Sequence, residues 1–308
     1  MGAFLADAAT VGLHGLQDPE EVVALLAERD EEGMPEFFHP PANPQYQVAR
    51  GEQSAYAYEV LPLLHTLMAT GRFRPGRFAD DALQFFSGTR GPVNAGPRAW
   101  LARWLGADAP PIDQGLDRAS AGVPGDERAN ALVKVPLLVA RYAATGQLAA
   151  AVEAAVRVQQ ASDAAVAAAL AFAAVLERMI VVGDSVQAAV EWAARADALP
   201  PAGRAAAADA LAAHAAVDHT EAVAGWGRGD GASEALRGGL HAALAAGGSF
   251  RAGVRAGICA GGDSCSRAHV TGALLAAAAG EDALPKAWRR KAVKYLDIKQ
   301  MRLDKNTS

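Results

Sequence analysis

The sequence predicts an all-α domain, a compact orthogonal arrangement of many helices, and three observations carry that reading. β-branched runs bounded by turn residues are short, so the signals of a pleated, half-buried strand are almost absent. Alanine and leucine dominate, and alanine is the strongest helix former. Apolar residues recur at helical spacing, as in Ala57, Val60, Leu61, Leu64, Leu67 and Met68, which sets them on one face of a helix.

Taken in order, Met1–Leu16 is an apolar N-terminal segment that carries Asp7 and His14. It lacks a positive leading region and is broken by Asp7, so it does not read as a signal peptide. Asp18 then caps a helix with Pro19 at its first position, followed by Val22, Leu25 and Leu26. Gly33–Asn43, among Pro35, Pro40, Pro41 and Pro44, is a loop. Gln53–Thr70 is a long helix that Pro62 kinks or divides. Arg77–Phe86 is a short amphipathic helix and Gly88–Ala99 a second loop. Gly106–Gly125 is polar, rich in Pro and Gly, and long enough for a functional loop.

Helices then follow over Asn130–Tyr142, Leu148–Gln160, Asp163–Val182, Ser185–Ala198 and Gly203–Ala216, their alanines favouring close approach. Ala164–Leu176, extended by Met179–Val182, is interrupted by Glu177 and Arg178 and reads as a buried core helix rather than a membrane span. Thr220–Ala246 breaks at Gly225–Gly231, and Phe250–Ala260 leads into the loop Gly261-Gly262-Asp263-Ser264-Cys265-Ser266. The alanine-rich stretch has no period of 30–50 residues and is biased composition, not a repeat.

No linker divides the 308 residues, so one domain is expected, and a chain of this size buries about three quarters of its unfolded surface without a disulfide or metal. The expected division is a helical domain over residues 1–290 and a basic tail over 291–308. Lys286–Lys305 interleaves Trp288, Tyr295, Leu296 and Met301 with basic residues, the pattern of a docked terminal helix with a solvated face in preference to a lipid or nucleic-acid contact. Two cysteines, Cys259 and Cys265, imply a reducing compartment, hence a soluble, cytoplasmic protein, and fit no zinc template. A net charge of −5 leaves no basic footprint for nucleic acid.

The densest chemistry lies in the loop after residue 260. Gly261 and Gly262 permit a sharp turn, and Asp263 or Ser264 then caps a helix that is built downstream of small residues, Thr271-Gly272-Ala273-Leu274-Leu275-Ala276. This pattern resembles the ADP-ribosylglycohydrolase family, whose motif reads Gly-Gly-Asp-Thr-Asp-Thr with Gly-Ala-Leu a few residues on. The resemblance is closer to the J-crystallin branch, which drifts from the second Asp. Gly2–Ala9 resembles the family's opening Gly-Ala-x-x-Gly-Asp-Ala helix, and Leu13–Asp18 the crystallin Leu-His-Trp-x-x-Asp. Arg50–Ser54, with Tyr46 before it, falls where the hydrolases carry Thr-Asp-Asp-Thr. Gly71–Phe78 resembles the family's helix–helix turn, and Asn130–Pro136 a segment near its middle. The likeness spans roughly residues 1–290. Glu52-Gln53 stands for the expected Asp pair, and Cys265 for the motif's second Asp.

The resemblance implies two magnesium ions beside a substrate ribose, placing a water that attacks the anomeric carbon. Mg²⁺ wants about six oxygen ligands near octahedral geometry, which carboxylates and hydroxyls supply. The positions retained for it are Glu52, Asp263 and Ser266, with Glu52 and Asp263 as the catalytic carboxylates. Asp7, His14, Asn130 and Cys265 would line the site for free or protein-linked ADP-ribose. The substitutions at Gln53 and Cys265 weaken the binuclear centre. Against each role stands a plainer one: Asp263 and Glu52 serving helix starts, Asp7 tying helices together, His14 in the core, Cys265 a small buried residue. A sharper reading makes Cys265 a thiolate activated at a helix N-terminus beside Arg267. His214, Asp218 and His219 read as polar capping at a helix end rather than as metal ligands, and Lys134 as a surface or packing residue. The leading expectation is a hydrolase of an N- or O-ribosyl linkage with altered metal dependence. The alternatives are a non-catalytic, crystallin-like or ADP-ribose-binding relative and thiol chemistry at Cys265.

Overall fold

Helix follows helix in the structure, a computed structural model that describes residues 1–29, 34–89, 91–106 and 119–303. In order they are α1 (Gly2–Thr10), α2 (Pro19–Ala27), α3 (Ala55–Thr70), α4 (Pro75–Gly88), α5 (Ala95–Leu105), α6 (Asn130–Val133), α7 (Val135–Tyr142), α8 (Leu148–Gln159) and α9 (Asp163–Val181). Then come α10 (Val186–Ala193), α11 (Pro201–His214), α12 (His219–Trp226), α13 (Ala232–Ala245), α14 (Phe250–Cys259), α15 (Ser264–Ala279), α16 (Lys286–Lys291) and α17 (Tyr295–Leu303). Among the described residues, strand is confined to Val123–Pro124 and Gln160–Ala161, paired in parallel. The all-α reading is correct.

Local chemistry explains most boundaries. Asp18 Oδ1 accepts the Glu20 N–H and Pro19 opens α2. Ser54 caps α3, and Gly71, in the left-handed region, ends it. Two expectations are corrected. The loop proposed over Gly88–Ala99 is shorter, because α4 runs through Gly88 and α5 begins at Ala95. Pro97 lies in the first turn of α5, where a missing N–H costs nothing, and Trp100 and Trp104 bury one turn apart. Asn130–Tyr142 divides at Lys134 into α6 and α7, since Pro136 has no N–H to continue the ladder. Pro62, by contrast, sits inside a continuous α3. Residues 107–118 of the Gly106–Gly125 loop, Gly33 of the first loop and residues 304–308 of the tail lie outside the described residues.

The crossing of α1 and α15 positions the site. A Cβ added to Gly272 would lie 2.5 Å from Ala6 Cβ and 2.7 Å from the Gly2 carbonyl oxygen, so only glycine permits this approach. α13 and α14 flank α15 on its other sides. α9 is long and apolar enough by composition to cross a membrane, yet 61% of its most apolar window is buried, against α7, α8, α10 and α11. Near the C-terminus, Trp288, Tyr295 and Ile298 are buried, and the Val293 N–H donates to the Gly51 carbonyl at 2.9 Å.

Candidate functional site

The loop before α15 is stitched into place through its backbone. Gly261 and Gly262 adopt φ of 73° and 68°, values that favour glycine. The Gly262 N–H reaches the Leu16 carbonyl, Gly15 N–H returns to Gly262, and Asp263 N–H bonds Arg228 at 2.8 Å. Buried Arg267 grips the carbonyls of Gly257 and Gly261 from beneath. Desolvation lowers its pKa to about 10. This framework sets the residues following His14 against the start of α15.

Around that junction the structure brings together Asp7, His14, Asp263, Cys265 and Ser266, all expected from the sequence, with Gln53, Ser54, Tyr56 and His269. Asp263 is the cap of α15: its Oδ1 accepts the Ser266 N–H at 3.2 Å, and its Oδ2 accepts the Tyr56 hydroxyl at 2.5 Å. Burial, then the nearby carboxylate, pushes the Tyr56 phenol well above its usual value, so it remains a donor. Ser266 Oγ turns back to the Asp263 carbonyl at 3.1 Å.

Asp7 is fully buried on α1 and ties that helix to the start of α3. Its oxygens accept the Ser54 N–H at 2.7 Å and the Ser54 hydroxyl at 2.5 Å. The Gln53 amide satisfies its surroundings only when assigned with its nitrogen inward, which makes it a donor to Asp7 Oδ2 at 3.0 Å and to the Phe4 carbonyl at 3.1 Å. Desolvation raises the Asp7 pKa, opposed in part by His269 and Ser54. His14 Nδ1 accepts the Cys265 N–H at 3.3 Å, so this nitrogen carries no proton and the 3.7 Å approach to Asp263 is not a donated bond. Burial lowers the His14 pKa despite Asp263, which keeps the ring neutral.

Cys265 corrects the activated-thiolate reading. It is completely buried, and desolvation, followed by Asp7 and Asp263, pushes its thiol well above the usual value; Arg267 is only a minor opposing influence. Glu52 is half-buried and accepts from the Tyr58 hydroxyl at 3.2 Å, a different bond from those that knit Asp7 and Asp263. Asn130 is buried in another network: it donates to Glu59 Oε2 and to Asn94 at 3.0 Å, while Lys134 spans Glu59 at 2.8 Å and the Asn130 carbonyl at 2.7 Å. Lys134 is therefore a packing residue within a buried ion pair. Asp218 caps α12, and His219 pairs with His241, Nδ1 to Nδ1 at 3.1 Å.

This donor set does not fit the magnesium centre the resemblance implied. Two converging carboxylates need a cation or neutral donors between them. Here the neutral donors come from the protein: Tyr56 on Asp263, Ser54 and Gln53 on Asp7, with an uncharged thiol beside both. Among the described residues no group of three His, Cys, Asp or Glu side chains is arranged to hold an ion.

Sequence reasoning missed Tyr56, Glu59 and His269. His269 stands one turn after Cys265 and so shares its helix face, which was a usable signal. Nothing local marks Tyr56 as the partner of a residue so distant in the chain.

Comparison with known proteins agrees with this architecture. The chain is 27% identical to crystallin J1A of Tripedalia cystophora over 309 aligned residues, covering 94% of this chain and 88% of the crystallin. Crystallin J1B of the same animal is 29% identical over 191 residues; the match spans 59% of this chain and only 57% of that crystallin. A solved structure described as an ADP-ribosylglycohydrolase-related protein complex superposes with a TM-score of 0.71 at 21% identity, covering 97% of this chain and 94% of that one, a likeness of fold. The ADP-ribosylglycohydrolase profile matches residues 1–306, and with the shared helical fold and the loop around Asp263 it places this chain in the ADP-ribosylglycohydrolase family.

Proposed function

We propose that this chain is a non-hydrolytic, crystallin-like member of its family, in which the protein's own side chains close the place where the hydrolases hold metal. The observation that carries this reading is the Tyr56–Asp263 hydrogen bond, joined to Cys265 as a neutral thiol beside it. Asp263 already accepts a cap N–H on one oxygen and a phenol on the other, so a divalent ion would have to compete with these donors for the carboxylate. Gln53 acts in the same sense at Asp7, giving an amide donor where a second carboxylate would repel. The likeness to crystallins J1A and J1B supports the same direction. A reducing, cytoplasmic setting belongs to this proposal, since Cys259 and Cys265 are both free thiols.

The competing reading is hydrolysis of an N- or O-ribosyl linkage, for which Glu52 and Asp263 are the available carboxylates. The test is to incubate the purified chain with ADP-ribosylated arginine, ADP-ribosylated serine and small ADP-ribose conjugates, with and without magnesium. We expect no release of ADP-ribose in any condition. Turnover above the protein-free rate would overturn the proposal and restore the hydrolase. Calorimetry with ADP-ribose and with magnesium then separates a purely structural protein from a binding one.

A further inference from the structure

Trp288, Ala292, Tyr295 and Ile298 form a buried stripe at helical spacing that fastens residues 286–300 to the body of the protein. Trp288 lies against Phe37 and Phe250, with ring centroids 5.8 Å apart in each case. The Val293 N–H donates to the Gly51 carbonyl at 2.9 Å, the Tyr295 hydroxyl to Glu281 at 3.3 Å, and Lys299 pairs with Glu281 at 2.8 Å. α16, α17 and the turn between them are thus held in one orientation, which fixes their other face outward.

That outward face combines charge with apolar surface. Lys286, Arg290, Val293 and Leu296 follow one another at helical spacing, out of step with the buried stripe, and all four are exposed. Leu296 is 70% exposed and Val293 50%. Lys291 is exposed beside Arg290, and Lys294, half-buried, follows Val293. Residues 286–299 hold six basic side chains against one acidic, Asp297, so they carry +5 in a chain of net −5. Lys299 is matched by Glu281, whereas no carboxylate among the described residues forms an ion pair with Lys286, Arg290 or Lys294. Composition alone favours a solvated face for this segment. The structure sets two large apolar side chains among its cations.

A soluble polyanion would engage the cations and leave Val293 and Leu296 in water. An anionic bilayer engages both, because its negative surface attracts Lys and Arg while its headgroup boundary takes up apolar side chains. The acidic remainder of the chain opposes such a contact only within a Debye length, about 8 Å at physiological salt. We propose that the outward face of residues 286–296 docks on an anionic phospholipid bilayer. Val293 and Leu296 enter the boundary between headgroups and acyl chains, and Lys286, Arg290, Lys291 and Lys294 lie against the lipid phosphates. This contact is peripheral and does not depend on whether the chain hydrolyses anything.

The test is sedimentation of the full chain with vesicles of phosphatidylcholine and phosphatidylserine at about three to one, and with phosphatidylcholine alone. We expect binding to the mixed vesicles, at least tenfold weaker binding to the neutral ones, and loss of binding in about 1 M salt. Reversing two exposed charges, Lys286→Glu with Arg290→Glu, should weaken binding at least tenfold. Leu296→Ser leaves the charge unaltered and should weaken it at least threefold. Thermal melting checks that both variants fold; should either fail, the lipid and salt comparisons on the unaltered chain decide the matter. No binding to the mixed vesicles, equal binding to neutral vesicles, or full binding by either folded variant would each overturn the proposal. Soluble polyglutamate that binds the chain as tightly as the vesicles do would overturn it too, and would assign this face to an acidic protein partner.

Discussion

Tyr56 and Asp263, 207 residues apart in the chain, share a hydrogen bond of 2.5 Å from the phenol to Oδ2, joining the first turn of α3 to the cap of α15. The carboxylate thereby holds a helix N-terminus and a tyrosine at once. Removing the hydroxyl in Tyr56→Phe leaves Oδ2 without that donor in a buried setting. We expect a loss of about 1.5–3 kcal/mol, measured by urea unfolding, with α15 still formed.

Substituting Asp263 separates its two bonds. Asn caps a helix about as well as Asp, so Asp263→Asn should keep the Ser266 contact and lose mainly the charge-assisted bond to Tyr56. Asp263→Ala loses both, and should be the less stable variant by about 1 kcal/mol, a cap's worth. Equal melting of the two variants would contradict a capping role.

Cys265 should resist alkylation. Its thiol is buried and raised well above the usual range, while Cys259 is only partly buried. Treated with iodoacetamide near pH 8 and weighed by mass spectrometry, the native protein should leave Cys265 unmodified, and urea should expose it. Rapid native labelling of Cys265 would revive the thiolate reading.

Acid should weaken the protein through His219. Burial, then Arg267, lowers its pKa from 6.5 to about 3. The unfolded chain binds the proton more readily across that window, so stability is complete above about pH 6.5 and is lost as pH falls towards 3. At pH 4.5 the loss from this group is roughly 2–3 kcal/mol, at 1.36 kcal/mol per unit. The loss of unfolding free energy between pH 7 and 4.5, measured by urea unfolding, should be smaller in His219→Phe by that amount.

Gly272→Ala tests the α1–α15 crossing. The added methyl meets Ala6 Cβ at 2.5 Å and the Gly2 carbonyl at 2.7 Å, both on a packed helix, so the helices must part. We expect a cost of about 1–3 kcal/mol or more by thermal melting, from overpacking.

The helical class, the cap at Asp18, the turn at Gly261-Gly262 and the cap at Asp263 were all legible in the sequence. Each depends on interactions within a few residues, which composition and spacing record directly. The motif positions Asp7, His14 and Asp263 were legible too, and the fold brings them together. Glu52 and Asn130 were read into the same site, yet their bonds run to Tyr58 and to Glu59. A one-residue change of direction at the start of α3 decides which side chain faces Asp7, and no local pattern encodes it.

By itself the sequence determined an all-α chain, its capping chemistry and the loss of anionic oxygen at positions 53 and 265. Only the tertiary structure decided what replaced it. Tyr56, Gln53 and Ser54 act as donors because the packing of α1, α3 and α15 aims them at two buried carboxylates. Hydrogen bonds are short-ranged and directional, so between residues distant in the chain they depend on the completed fold, not on any spacing along it.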